Sequence, residues 1–178
     1  MIIAMHQSKL NEEALILEAE RKTTSLGRLT ELAQSRLVSV RASVAGNIQT
    51  PVAVLESLSA DHDYRVHCAV AGNINTPIAV LEELSADAHS WVRITVARNV
   101  NTPIAVLEKL STDDDYVVHC AVAENRKTPI IVLKKLAFDA NQWVRNEVRE
   151  NPNTPIEIKE SIDVHGIDDF NLNNNENE

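Results

Sequence analysis

Apolar residues recur along this chain at two helical spacings, and the whole pattern returns every 26 positions. Leu29, Leu55, Leu81, Leu107 and Leu133 are each followed three residues later by a second Leu, at 32, 58, 84, 110 and 136. Val40, Val66, Val92, Val118 and Val144 are each followed four residues later by another Val. Steps of three and four bring partners onto one face of a helix, so each repeat holds two short helical segments. A constant period of this size marks a stack of small units that bury their apolar faces against their neighbours. Helices this short are marginal alone in water, so stability must come from the stacked interfaces.

Polar residues punctuate the same repeat. Thr-Pro stands at 50–51, 76–77, 102–103, 128–129 and 154–155, dividing the chain into repeats 24–49, 50–75, 76–101, 102–127 and 128–153 with a partial sixth. The first repeat reads Thr24-Ser25 instead. A Thr before a Pro predicts an N-cap followed by the first helical residue, with the first helix running from Pro51 to Ser59. Asp61, Asp87, Asp113 and Asp139 then read as caps of the second helix, which runs from about Tyr64 to Ala71. That helix is expected to stop at Asn47, Asn73, Asn99, Asn125 and Asn151, either in a left-handed turn or by bonding the freed carbonyls.

The ends differ from the middle. Ser8 to Lys22 reads as a charged helix, and at the other end Lys159 replaces the first core Leu while Ile162 keeps the second. The expected organisation is an N-terminal capping helix over 1–23, a repeat array over 24–165 and a disordered, acidic, Asn-rich tail over 166–178. A longer period also runs through the chain. Tyr-x-Val-His-Cys-Ala-Val-Ala occurs at 64–71 and 116–123, and Trp-Val-Arg at 91–93 and 143–145, as duplication of a two-repeat block would produce.

Charge narrows the choice of partner. The formal net charge is −9, of which residues 154–178 carry −6 and residues 24–153 only −2. A near-neutral body lacks the basic groove that neutralises a phosphate backbone, which argues against nucleic acid as the main partner. No apolar run approaches the roughly 20 residues of a membrane span. Cys68 and Cys120 lie two repeats apart, on the order of 20 Å for helices packed 8–10 Å apart. A disulfide needs Cα atoms within about 7 Å, so a reducing cytoplasm is the expected compartment.

Candidate chemistry is sparse. His67-Cys68 and His119-Cys120 hold metal-ligating residue types, but neighbours on a helix diverge by about 100° and no third ligand completes a set. Asp113-Asp114-Asp115 lacks the spaced acids of a calcium loop. No phosphate-binding glycine loop, nucleophile elbow or zinc-protease motif is present. The expectation is a protein that is not an enzyme, with no cofactor and no metal. The most suggestive feature is a ladder of Arg41, His67, Arg93, His119 and Arg145, one step after each core Val. Its structural reading is local pairing of each group with a neighbouring cap Asp or loop carbonyl. Its functional reading is a strip that binds an acidic segment, more tightly as the histidines protonate, with Trp91 and Trp143 as aromatic anchors.

The string Asn-x-x-Thr-Pro-x-x-x-Leu-x-x-Leu-x-x-Asp-x-x-x-x-Val-Arg-x-x-Val-Ala, which residues 73–97 follow almost throughout, resembles the leucine-rich repeat variant family. The resemblance extends over about residues 24–162. It implies an all-α, right-handed α-solenoid of about five and a half two-helix repeats, related to HEAT-type solenoids and found in the bacterial cytoplasm. The family's prototype has a 3₁₀ second helix in repeats of about 24 residues. The extra length here leaves room for a full α-helix, so the second helix is open between α and 3₁₀. The prototype's N-terminal iron–sulfur cluster does not carry over, because residues 1–23 contain no Cys. The implied function is a non-catalytic scaffold for another protein, one with an acidic segment being the natural complement. The alternatives are a nucleic-acid-binding HEAT-like solenoid and an accessory lyase-type enzyme of HEAT-like fold. The acidic tail could then occupy the basic ladder until a partner displaces it.

Overall fold

The computed structural model describes the backbone of residues 2–162 and the side chains of residues 10–162, so the acidic tail expected over 166–178 lies outside the described residues. The described residues are helical throughout, with short turns between helices. The chain divides into two compact units, residues 1–101 and 102–178. The first contains α1 (Ile2–Glu20), α2 (Leu26–Leu32), α3 (Val38–Gly46), α4 (Val52–Leu58), α5 (Tyr64–Gly72), α6 (Ile78–Leu84) and α7 (Ser90–Arg98). The second contains α8 (Ile104–Leu110), α9 (Tyr116–Glu124), α10 (Ile130–Leu136) and α11 (Gln142–Glu150), followed by a helical stretch over 156–162.

Each repeat is therefore a seven-residue helix followed by a nine-residue helix, and both are α. This is an all-α solenoid of two-helix repeats. In the first unit the longer helices stack in the order α1, α3, α5, α7; in the second, α9 stacks on α11. The shorter helices pack beside their own longer partners. The Leu and Val ladders form the core: Leu29, Leu55, Leu81, Leu107 and Leu133 are fully buried, as are Val40, Val66, Val92, Val118 and Val144. Small residues at Ala45, Ala71, Ala97 and Ala123 are buried just before the helix ends.

The polar punctuation works differently from its sequence reading in three respects. Pro51, not Thr50, is the N-cap residue, and its carbonyl accepts from the amides of Val54 and Leu55. The buried Thr hydroxyls instead donate backwards: Thr50 to the Val44 carbonyl, Thr76 to Val70, Thr128 to Val122 and Thr154 to Val148. Each Thr thus closes the helix before it. Where the Pro is missing, Ser25 takes its place as N-cap and accepts from Arg28 N with its hydroxyl.

The second difference concerns Asp. Asp63, Asp115 and Asn141 cap α5, α9 and α11, two positions after the repeated Asp. Asp61, Asp87 and Asp139 accept the amide two residues on, forming the turn that leads into the cap.

Asn is the third. No described residue has positive φ, and Asn73 ends α5 in an extended conformation with φ −74°. Its side chain bonds carbonyls of the preceding repeat instead. Asn73 Nδ2 donates to Ala45 O at 2.7 Å and Asn47 O at 2.9 Å, and Oδ1 accepts from Asn75 N at 2.9 Å. Asn99 makes the equivalent bonds to Ala71 O and Asn73 O. Within the second unit, Asn151 bonds Ala123 O and Asn125 O.

The long helix α1 joins this scheme as if it were the second helix of an earlier repeat. Thr24 donates to Glu18 O, and Asn47 Nδ2 donates to Ala19 O and Arg21 O. A partly exposed ion pair between Glu18 and Arg28 ties α1 to α2.

Candidate functional site

The Arg/His ladder begins one residue after each core Val, and the stacked helices decide what it faces. Arg41 is buried on α3. Its Nε donates to Asp61 Oδ2 at 2.6 Å, its Nη2 to Asp61 Oδ1 at 2.9 Å and its Nη1 to Ser35 O at 2.9 Å. The guanidinium holds the Asp61 carboxyl below the usual carboxylate range, mainly through these hydrogen bonds. Reciprocally, the carboxylate raises Arg41. His67 meets Asp87 Oδ2 through Nδ1 at 2.7 Å, and His119 meets Asp139 Oδ2 in the same way at 2.8 Å. Arg93 donates Nη1 to Asp87 O at 2.9 Å, and the buried Arg145 donates Nη1 to Asp139 O at 2.9 Å. The alternating strip of cations and histidines therefore has partners inside the repeat array, and its groups are buried or half-buried.

A division of labour follows at the repeated Asp. At Asp87 one oxygen fixes the turn into its own second helix and the other receives the preceding repeat's imidazole, whereas at Asp61 Oδ1 serves both the turn and the Arg41 fork. The Arg-type position also bonds the carbonyl six residues earlier. His67 cannot reach that carbonyl. Its Nε2 is shielded from solvent without a hydrogen-bond partner among the described residues, as is Nε2 of His119. Replacing His67 by Arg should add the fork to Asp87 and the bond to Asp61 O. The expected gain is about 1 kcal/mol in urea unfolding at pH 7. A loss of stability would mean that the His position is shaped to exclude a guanidinium.

Trp91 and Trp143 are the second residues of α7 and α11, and they are 62% and 66% exposed. The equivalent residues in other repeats are Ser39, Arg65 and Val117, so aromatic side chains do not recur in every repeat. Tyr64, at the start of α5, stacks on His89 with ring centroids 4.5 Å apart. Cys68 is half-buried, with its thiol pushed up chiefly by that burial, and Cys120 is buried; neither is in a disulfide. Among the described residues, no group of three or more His, Cys, Asp or Glu is arranged to hold a metal ion. Among them, too, no helix is long and apolar enough to cross a membrane.

A second ladder escaped the sequence reading. The residue after each Pro, or after Ser25, is Leu26, Val52 or Ile78 in the first unit and Ile104, Ile130 or Ile156 in the second. All six are 46–61% exposed. Their spacing of three from the core Leu suggests burial, yet they sit in the first turn, before the short helix reaches its neighbours. The turns add exposed Ile48, Ile74 and Val100 in the first unit. Recurrence of a bulky aliphatic directly after Pro, in all repeats, is the signal that would have found this row. In the first unit, exposed Glu56, Glu82 and Glu83 lie on the same short helices.

Comparison with known proteins follows the repeat. Residues 91–115 match the family model for the leucine rich repeat variant. A solved structure described as a leucine-rich repeat variant with a novel repetitive protein structural motif is 26% identical and superposes with a TM-score of 0.60. The match covers 80% of this chain and 60% of that one. No curated protein matches this chain.

Proposed function

We propose that this array of leucine-rich-variant repeats is a non-catalytic scaffold that holds another protein against the exposed face of its short helices. One observation carries the reading: an aliphatic side chain stands half-exposed at the same position of every repeat, although the core is already filled by the Leu and Val ladders. Scattered exposed aliphatics need no explanation, but a periodic row of them is a surface able to bury a partner's apolar residues. Trp91 and Trp143 offer the larger aromatic area that dominates interface energetics. The ladder of Arg41, His67, Arg93, His119 and Arg145 contributes indirectly, by fixing the spacing at which the row is presented. Cys68 and Cys120, neither of them in a disulfide, suit a reducing cytoplasm.

The test is a crosslinked pull-down from native lysate with the full chain as bait, comparing wild type with V52E/I78E and scoring protein and nucleic acid separately. Each buried aliphatic contributes about 1.4 kcal/mol, so the double variant should bind the same protein about 100-fold more weakly with an unchanged far-UV spectrum. A protein partner held equally by both would remove the row from the interface. Nucleic acid recovered alone, and lost as salt rises, would replace this reading with a phosphate-binding one.

A further inference from the structure

Residues 125–138 depart from the other repeats in charge. The matching stretches 47–58, 73–84 and 99–110 hold at most one Lys or Arg each, whereas 125–136 holds Arg126, Lys127, Lys134 and Lys135 and no acid. All four are exposed. Between and beside them stand Ile130, Ile131, which is 70% exposed, and Phe138. Lysines in the last turn of α10 complement its dipole, but cations just before its first turn do not. Helix stability therefore explains only half of this cluster. The remainder is a basic, apolar face in a chain whose net charge is −9.

We propose that residues 163–178 of this same chain dock on that face. The segment carries five acids, no Lys or Arg, and the apolar residues Ile167, Phe170 and Leu172. Charge and apolar content both complement α10. Reach is sufficient. The described chain ends at Ile162, in the helical stretch that is the next repeat's counterpart of α10. Neighbouring helices lie about 10 Å apart, and the eight residues from Ile162 to Phe170 span up to about 26 Å extended. The exit point also corresponds to the end of α10, where Lys134, Lys135 and Phe138 sit. Single exposed ion pairs are weak. A tethered segment nevertheless has an effective concentration of about 1 mM, so contact of only millimolar strength keeps the face half covered. A docked partner would then have to displace the segment. The basic Arg/His ladder is not the seat of this contact, because its groups already have partners within and between repeats.

The inference rests on the short-helix row being a docking face, but its test needs no partner. The full chain, with p-benzoylphenylalanine at position 138, is irradiated at low micromolar concentration and the crosslinked peptides are mapped. Crosslinks should join position 138 to residues 163–178 of the same chain. They should fall at least fivefold in K134E/K135E and return in K134E/K135E/D168K/D169K. Crosslinks that ignore both charge changes, or that avoid residues 163–178, overturn the proposal. Crosslinks found only between differently isotope-labelled chains assign the face to a second copy instead. A mapped crosslink alongside a pull-down unaffected by V52E/I78E would reject the scaffold surface and keep the intramolecular contact.

Discussion

Replacing Asp61 by Ala should lower stability by about 3–5 kcal/mol, because it strands a guanidinium that is almost wholly buried. The Arg41 and Asp61 side chains are only 8% and 7% exposed, and the fork between them is made at 2.6 and 2.9 Å. The substitution also frees Asp63 N, which Asp61 holds in the turn before α5. For a chain of this length, the loss corresponds to a fall in melting temperature of about 6–20 °C. The pair has a signature in pH as well. Arg41 holds the Asp61 carboxyl below its ordinary range. Its contribution is therefore complete above the unfolded value of about 3.9 and fades as pH falls through the lower folded value. Wild type should converge on D61N in urea unfolding as pH drops below about 4, having been far more stable at pH 7. An apolar replacement of both partners, R41M/D61L, should recover much of the loss. A D61A cost below about 1 kcal/mol would class the pair with surface ion pairs.

The repeat made much of this fold legible. Twenty-six-residue recurrence of Leu and Val assigned both helices and the core, because helical spacing depends on side-chain direction and on nothing distant. The same regularity hid other things. Thr50, Asp61 and Asn73 each combine a short side chain with more than one hydrogen-bonding choice, and sequence does not say which neighbour wins. Thr50 bonds backwards to Val44 O, where a cap bonds forwards. Asp61 serves a turn and the preceding repeat at once. Asn73 spans two repeats with an ordinary negative φ. The Arg/His ladder looked like a strip because its period was visible, but burial is a property of the stack. The aliphatic row after each Pro was invisible for the opposite reason: its spacing from Leu55 imitates a core position, and only the placement of the first helical turn exposes it. The residues that attract attention in a repeat are those that repeat, and here most of them hold the repeats together.

The Asn ladder provides the second large effect. Asn73 is 4% exposed and uses all three of its bonds across or beside a repeat junction. Truncation to Ala removes the partner of Ala45 O at the end of α3 and of Asn75 N in the following turn. Ala45 is fully buried, so water cannot replace the lost donor. Buried groups left unpaired cost about 1–3 kcal/mol each, which sets the expected loss for N73A at about 2–4 kcal/mol. Asn73→Asp should be at least as damaging. The carboxylate can still accept from Asn75 N, but it turns an oxygen toward two carbonyl oxygens where an amide donated. Asn75 supplies the control. Its Nδ2 also reaches the preceding repeat, at Ile48 O and 2.7 Å, but in an exposed setting where water can take over. N75A should therefore cost no more than about 1 kcal/mol. Urea unfolding of the three variants, followed by far-UV circular dichroism, separates the cases. If N73A and N75A lose the same small amount, water reaches the Ala45 carbonyl and the ladder is a spacer. If N73A alone loses several times more, the junction depends on one amide per repeat to satisfy the helix end that stacking has sealed from solvent.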